Sequence, residues 1–171
     1  LKRAAPFRER GTAAGNGLMI ASLARASRVL NEPRYAEAAI IAANAVMRKL
    51  WTPSTSTLVR TADKTPALNE DYAFLVSGML ELFETTYDVR WLELAIALQK
   101  KQDATFWSES IGRYVAGRSV PATLSLLFVE TDGDSPSPNA ISATNLQRLG
   151  ALTGNAAWAE RPAVIFRSFG G

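Results

Sequence analysis

Glu70 and Asp71 are the only consecutive carboxylates in the chain, and they carry most of what acid–base chemistry the sequence can offer. The 171 residues include no His and no Cys. That excludes a thiolate nucleophile, a disulfide framework and the usual imidazole or thiolate metal sites, and no motif calls for a cofactor or a metal. Two carboxyls can cleave a glycosidic bond when they face one another at about 5 to 9.5 Å across a sugar ring. Neighbours on a helix point about 100° apart, so only one of Glu70 and Asp71 can look into a cavity. A second carboxyl would have to come from Glu130, Asp132 or Asp134. The stretch from Asp132 to Pro138 superficially offers calcium ligands, but its two prolines and the lack of a following Glu at the required spacing fit a turn into a helix better than an EF-hand. Trp51 and Trp107 each stand where a helix gives way to a loop, placed either to stack on a ligand or to pack into the core.

The elements that must position these residues are helices. From Gly17 to Leu30, Met19, Leu23, Ala26 and Leu30 recur at spacings of four, three and four, while Ser22, Arg25 and Arg28 form one narrow polar stripe. Most of that helix is therefore covered by neighbours. Asn31 and Pro33 end it and open a second helix to Leu50. A third, from Glu70 to Tyr87, again has a thin polar stripe (Ser77, Glu81, Glu84, Asp88), and a fourth, from Val89 to Phe106, is lopsided and reads as an outer helix. A final pair spans Asn139 to Leu152 and Asn155 to Phe169. The Thr-, Ser- and Pro-rich stretch from Trp51 to Pro66 reads as a loop or small hairpin. Between Trp107 and Pro138 the helical period disappears, and Tyr114 with Val115 and the run from Leu126 to Val129 look like two short strands.

These helix pairs repeat. Tyr35 and Glu37, Trp91 and Glu93, and Trp158 and Glu160 form one aromatic-x-Glu signature at the start of each second helix, 56 and 67 residues apart. Counting back 19 or 20 residues from each aromatic reaches Asn16, Asp71 or Tyr72, and Asn139, the polar residue expected to open each first helix. The period exceeds that of plain helical solenoids because long loops intervene, which favours a toroid. With the first helices inward, their amino ends would converge on one mouth, offering free N–H groups and positive dipole ends to a polar ligand. Asn16, Glu70, Asp71, Tyr72 and Asn139 would stand there, although Asn and Asp at such positions equally serve as helix caps.

The composition, with 19 basic and 16 acidic residues, fits one globular domain with a sizeable core. Four of the basic residues (Lys2, Arg3, Arg8, Arg10) cluster in the first ten positions, so residues 1–14 read as a basic tail rather than a nucleic-acid surface. No apolar run is long enough for a membrane span and no signal peptide is evident, which points to a cytoplasmic protein. Opening on Leu1 suggests a piece of something longer.

Taken in order, Asn16-Gly17-Leu18-Met19-Ile20, Glu70-Asp71-Tyr72-Ala73-Phe74-Leu75, Arg90-Trp91-Leu92-Glu93, Phe106-Trp107, Asp132-Gly133 to Pro136, Asn139, and Leu149 to Gly154 resemble the C-terminal half of the YyaL and spermatogenesis-associated thioredoxin-like family. The resemblance spans almost the whole chain. It implies an all-α fold of three helical hairpins, about half of an (α/α)6 toroid similar to six-hairpin glycosidases and N-acylglucosamine 2-epimerases, with one or two small β-hairpins in the loops. It also implies a sugar-like ligand. The chain departs from the family pattern at Gly15, at Ser137-Pro138-Asn139-Ala140 and at Gly112-Arg113-Tyr114-Val115, and it lacks the His used by related epimerases. Any catalytic share then falls to Asp71 and Tyr72, and binding is expected rather than turnover. A protein-interaction scaffold and a carbohydrate-active enzyme are the alternatives. Half a ring leaves two flanks open, so self-association is expected.

Overall fold

A computed structural model describes residues 11–117 and 135–169. Among the described residues six helices form three hairpins: α1 (Ala13–Leu30) with α2 (Pro33–Leu50), α3 (Asn69–Thr86) with α4 (Val89–Phe106), and α5 (Pro138–Thr153) with α6 (Ala156–Arg167). Two small antiparallel β-hairpins follow the outer helices. In one, β1 (Trp51–Thr52) pairs with β2 (Thr57–Leu58), and in the other β3 (Trp107–Ser108) pairs with β4 (Arg113–Tyr114). The strand expected at Tyr114 is present and lies opposite Trp107; the one expected from Leu126 to Val129 falls outside the described residues.

The helix ends follow their local chemistry. Thr12 caps α1 by accepting from the Gly15 N–H at 3.0 Å, so the helix starts four residues before the apolar pattern that reveals it. Pro33 occupies the first position of α2, where its missing N–H costs nothing. Asp88, Ser137 and Asn155 cap α4, α5 and α6 with their side chains. Asn31, Tyr87 and Gly154 close α1, α3 and α5 in the left-handed conformation.

The helices make two layers, α1, α3 and α5 inside and α2, α4 and α6 outside. Large side chains fill the space between them, among them Trp51, Tyr72, Met79, Trp91, Leu98, Phe106, Leu146 and Trp158. The inner helices run parallel. Asp71 meets Ala14 at one end of the α1–α3 pair and Thr85 meets Ala24 towards the other, while on α5 Asn145 meets Ala73 and Arg148 reaches Glu81 and Glu84. The close approach of α1 to α3 requires glycine at position 17, where a Cβ would stand 2.5 to 2.6 Å from the Phe74 carbonyl and the Leu75 nitrogen.

On α3 the core-facing Tyr72, Leu75 and Met79 lie opposite Glu70, Ser77, Glu81 and Glu84, which share the partly exposed concave side. Beside them a second, smaller apolar cluster joins Ala14 and Leu18 of α1, Ala73 and Phe74 of α3, and Ile141 of α5.

Candidate functional site

The amino ends of the inner helices gather at one end of the concave face, and there the structure builds a charged cluster around Arg60. The short chain segment after β2 holds this residue by its backbone: Arg60 N donates to Thr65 O at 2.8 Å, and Arg60 O accepts from Ala13 N at 2.8 Å. One contact shapes the loop and the other ties it to the start of α1. The guanidinium then lies across the first turn of α3, its Nη1 2.6 Å from Glu70 Oε1 and 3.0 Å from Asp71 Oδ2.

The two carboxylates differ sharply. Asp71 is fully buried. Its Oδ1 accepts from Ala14 N at 2.9 Å, and its Oδ2 accepts from Leu68 N at 2.9 Å as well as from Arg60. Leu68 has no side chain that can cap α3, so Asp71 reaches back to do it, and the same carboxylate fastens α1 to α3. Burial pushes the Asp71 carboxyl above its ordinary range, against the opposing pull of the Leu68 N–H, the Arg60 charge and the Ala14 N–H. For Arg60, burial works against the charge, but the hydrogen bonds and charges of Glu70 and Asp71 outweigh it and raise its pKa. Glu70, by contrast, keeps 29% of its side chain exposed. Of the two neighbouring carboxylates, it is the one turned to the concave side.

The other expected site residues are spread over several environments. Tyr72 lies in the interlayer core, its hydroxyl accepting from Leu58 N at 3.3 Å and its ring tilted against Phe106 at 5.6 Å. Burial pushes its phenol up from the usual value. Trp51 is buried in the same core. Asn16 sits one turn into α1 rather than at its opening, with its amide folded back onto Thr12 O at 2.7 Å. Asn139 follows the true cap, Ser137, and spends both ends of its amide on the Tyr114 backbone, accepting from its N–H and donating to its carbonyl at 3.0 Å each. Trp107 is half-buried at the edge of the core, its ring against the Arg161 guanidinium at 4.7 Å and at a steep angle to the Tyr114 ring at 5.2 Å. Glu130, Asp132 and Asp134 fall outside the described residues, as do Lys2, Arg3, Arg8 and Arg10.

Two outward grooves border α4. One, of about 500 Å³, is lined by Ser56, Ile96 and Lys101 among others; the second, of about 490 Å³, includes Asp103, Trp107, Trp158 and Arg161. Asp103 binds the second hairpin to the third, accepting from Gln99, Tyr114, Trp158 and Arg161. Arg60 and Asp103 are the organising residues that sequence reading missed. The one available signal for Arg60 was a lone cation at the end of a β-prone run, ten residues before two adjacent carboxylates.

Among the described residues no cluster of His, Cys, Asp and Glu is placed to hold a metal, and no helix is long and apolar enough to cross a membrane. No family model matches the chain. Over 92% of its length it is 34% identical to spermatogenesis-associated protein 20 of Homo sapiens, of which it spans 22%. Among solved structures it is similar to the GH76A α-1,6-mannanase of Salegentibacter sp., with a TM-score of 0.73 and 14% identity over 94% of this chain and 47% of that one. An inactive variant of that mannanase, with two consecutive aspartates changed to asparagine, is known in complex with α-1,6-mannotriose. A D-mannose isomerase matches with a TM-score of 0.65 and 10% identity, over 95% of this chain and 44% of the isomerase.

Proposed function

Since this chain is a homologue of one segment of spermatogenesis-associated protein 20 and folds as part of an α/α toroid, we propose that the mouth end of its concave face binds a carbohydrate-like polar ligand through Glu70 and Arg60. The observation that carries this reading is the division of labour between two adjacent carboxylates: Asp71 is buried and fully engaged, whereas Glu70 is partly open and held by one arginine nitrogen. A partly exposed carboxylate beside a guanidinium offers an acceptor and donors to neighbouring sugar hydroxyls. Leu18 and Ile141, partly buried beside Phe74, supply an apolar surface for the C–H face of a ring.

The mannanase supports the reading by analogy, because its inactive variant is altered at a consecutive carboxylate pair and Glu70–Asp71 is the pair this chain has. Hydrolysis asks for more. Both oxygens of Asp71 hold the frame, and Glu81 and Glu84 are tied to arginines. Binding is therefore the function proposed for these residues.

Calorimetric titration with a panel of mono- and oligosaccharides, mannose oligomers included, tests it. Heat of binding in the wild type, lost in Glu70→Gln at unchanged melting temperature, is the expected result. Flat titrations across the panel, or full binding by Glu70→Gln, would remove the proposal.

A further inference from the structure

Behind the mouth, where α3, α4 and α5 meet, four polar side chains are enclosed: Asn69, Gln102, Ser142 and Asn145, none more than 1% exposed. Gln102 Nε2 donates to Asn69 Oδ1 at 2.7 Å and to Ser142 Oγ at 2.8 Å, and Asn145 Nδ2 donates to Ala73 O at 2.8 Å. Asn69 Nδ2, Gln102 Oε1 and Asn145 Oδ1 are then buried with no partner. These atoms belong to side chains already in contact or one helical turn apart, since Asn145 follows Ser142 by three residues and Ala73 follows Asn69 by four.

Of the atoms left without a partner, one is a donor nitrogen and two are acceptor oxygens, and that count of atoms does not depend on how the amides are oriented. Turning Asn69 and Gln102 over together lets Gln102 Oε1 accept from Asn69 and Ser142, and frees Gln102 Nε2 and Asn69 Oδ1 instead. One donor and two acceptors remain. Asn145 cannot turn, because its oxygen would then face the Ala73 carbonyl. Buried polar groups of native proteins are paired, and an internal water typically makes about three hydrogen bonds to such groups. A water accepts from one donor and gives two protons to two acceptors.

We propose that these amides form an internal hydration site holding one structural water, which joins the second hairpin to the third beneath the turn of α3 that carries Glu70. Its side chains come from three helices, so the water completes an inter-hairpin joint rather than a single helix. The inference stands apart from the sugar-binding reading.

A crystal structure of the wild-type chain at a resolution that shows ordered water tests it directly. One water within hydrogen-bond distance of Asn69, Gln102 and Asn145 is expected; the three amides paired with one another and no water between them would overturn it. Gln102→Met removes both amide atoms at similar length and is expected to lose this water while other internal waters stay. A water retained there on unchanged partners would refute the role given to Gln102. Oxygen-17 relaxation dispersion on the wild type needs no variant: at least one water outlasting molecular tumbling is expected, and none at all would overturn the site.

Discussion

The two ends of the concave face are both built from arginine and carboxylate, yet they are built differently. At the mouth, one arginine from a loop serves two neighbouring carboxylates, and the exposed one has capacity to spare. At the far end, Arg28 of α1 and Arg148 of α5 each bind both Glu81 and Glu84 of α3, closing a four-charge ring across all three inner helices. Charge at the far end is balanced within the ring. The mouth is therefore where polar groups are left over for something else, and the far end is where the hairpins are fastened. The contrast shows that charged side chains on a concave surface do not by themselves mark a site; what matters is which of them is already satisfied.

The comparison breaks most severely at Asp71. Asp71→Ala strands the buried Ala14 N–H and the part-buried Leu68 N–H and half-unpairs Arg60, and a loss of about 3 to 5 kcal/mol in denaturant unfolding is expected. A loss below about 1 kcal/mol would show that the carboxylate is not the fastening described. Its titration adds a signed test. Burial raises the folded pKa above the ordinary 3.8, so the unfolded chain gives up this proton first. As pH rises through that window the folded state holds more protons, and the stability that Asp71 contributes falls. The gap between wild type and Asp71→Asn should accordingly narrow from low to neutral pH. Partly exposed Asp88 runs the other way: hydrogen bonding to Arg90 lowers its pKa, and its contribution disappears as pH falls.

Next in size is Gly17→Ala, which pushes a methyl into the Phe74 carbonyl and must separate α1 from α3. About 2 to 3 kcal/mol is expected from overpacking, read as a lower midpoint of thermal unfolding. Wild-type stability in this variant would contradict the close helix contact. The far-end ring is gentler because it is partly solvated, with Glu84 41% and Arg148 20% exposed. A double-mutant cycle of Arg148→Met and Glu84→Gln should give a coupling of about 0.5 to 1 kcal/mol that shrinks in high salt.

Much of this architecture was legible because it rests on periodicity. Thin polar stripes marked α1 and α3 as inner helices, and the aromatic-x-Glu repeat placed the three hairpins. The site was only half legible. Glu70 and Asp71 stood out by type, but which one faces outward depends on Ala14 and Arg60, residues 57 and 11 positions away from Asp71, and no local pattern reports such contacts. Helix openings misled for a related reason: Thr12 and Ser137 cap first turns of small residues and Pro that carry no clear apolar period, so the more conspicuous Asn16 and Asn139 drew the assignment. Asn69, Gln102, Ser142 and Asn145 were illegible because each sits singly in a helical pattern, and only the packing of three helices brings them together.

The smallest stability effect is the most informative. Glu70→Gln keeps the side-chain length and one acceptor oxygen for Arg60, and Asp71 still balances that guanidinium, so stability should move by no more than about 0.5 kcal/mol. If the mouth is a site and the far end a fastening, this near-silent change should abolish sugar binding, while Glu84→Gln, which weakens the ring, should leave it intact. Measuring both properties on both variants separates the two ends: binding lost with Glu84→Gln but kept with Glu70→Gln would move the site to the opposite end of the concave face.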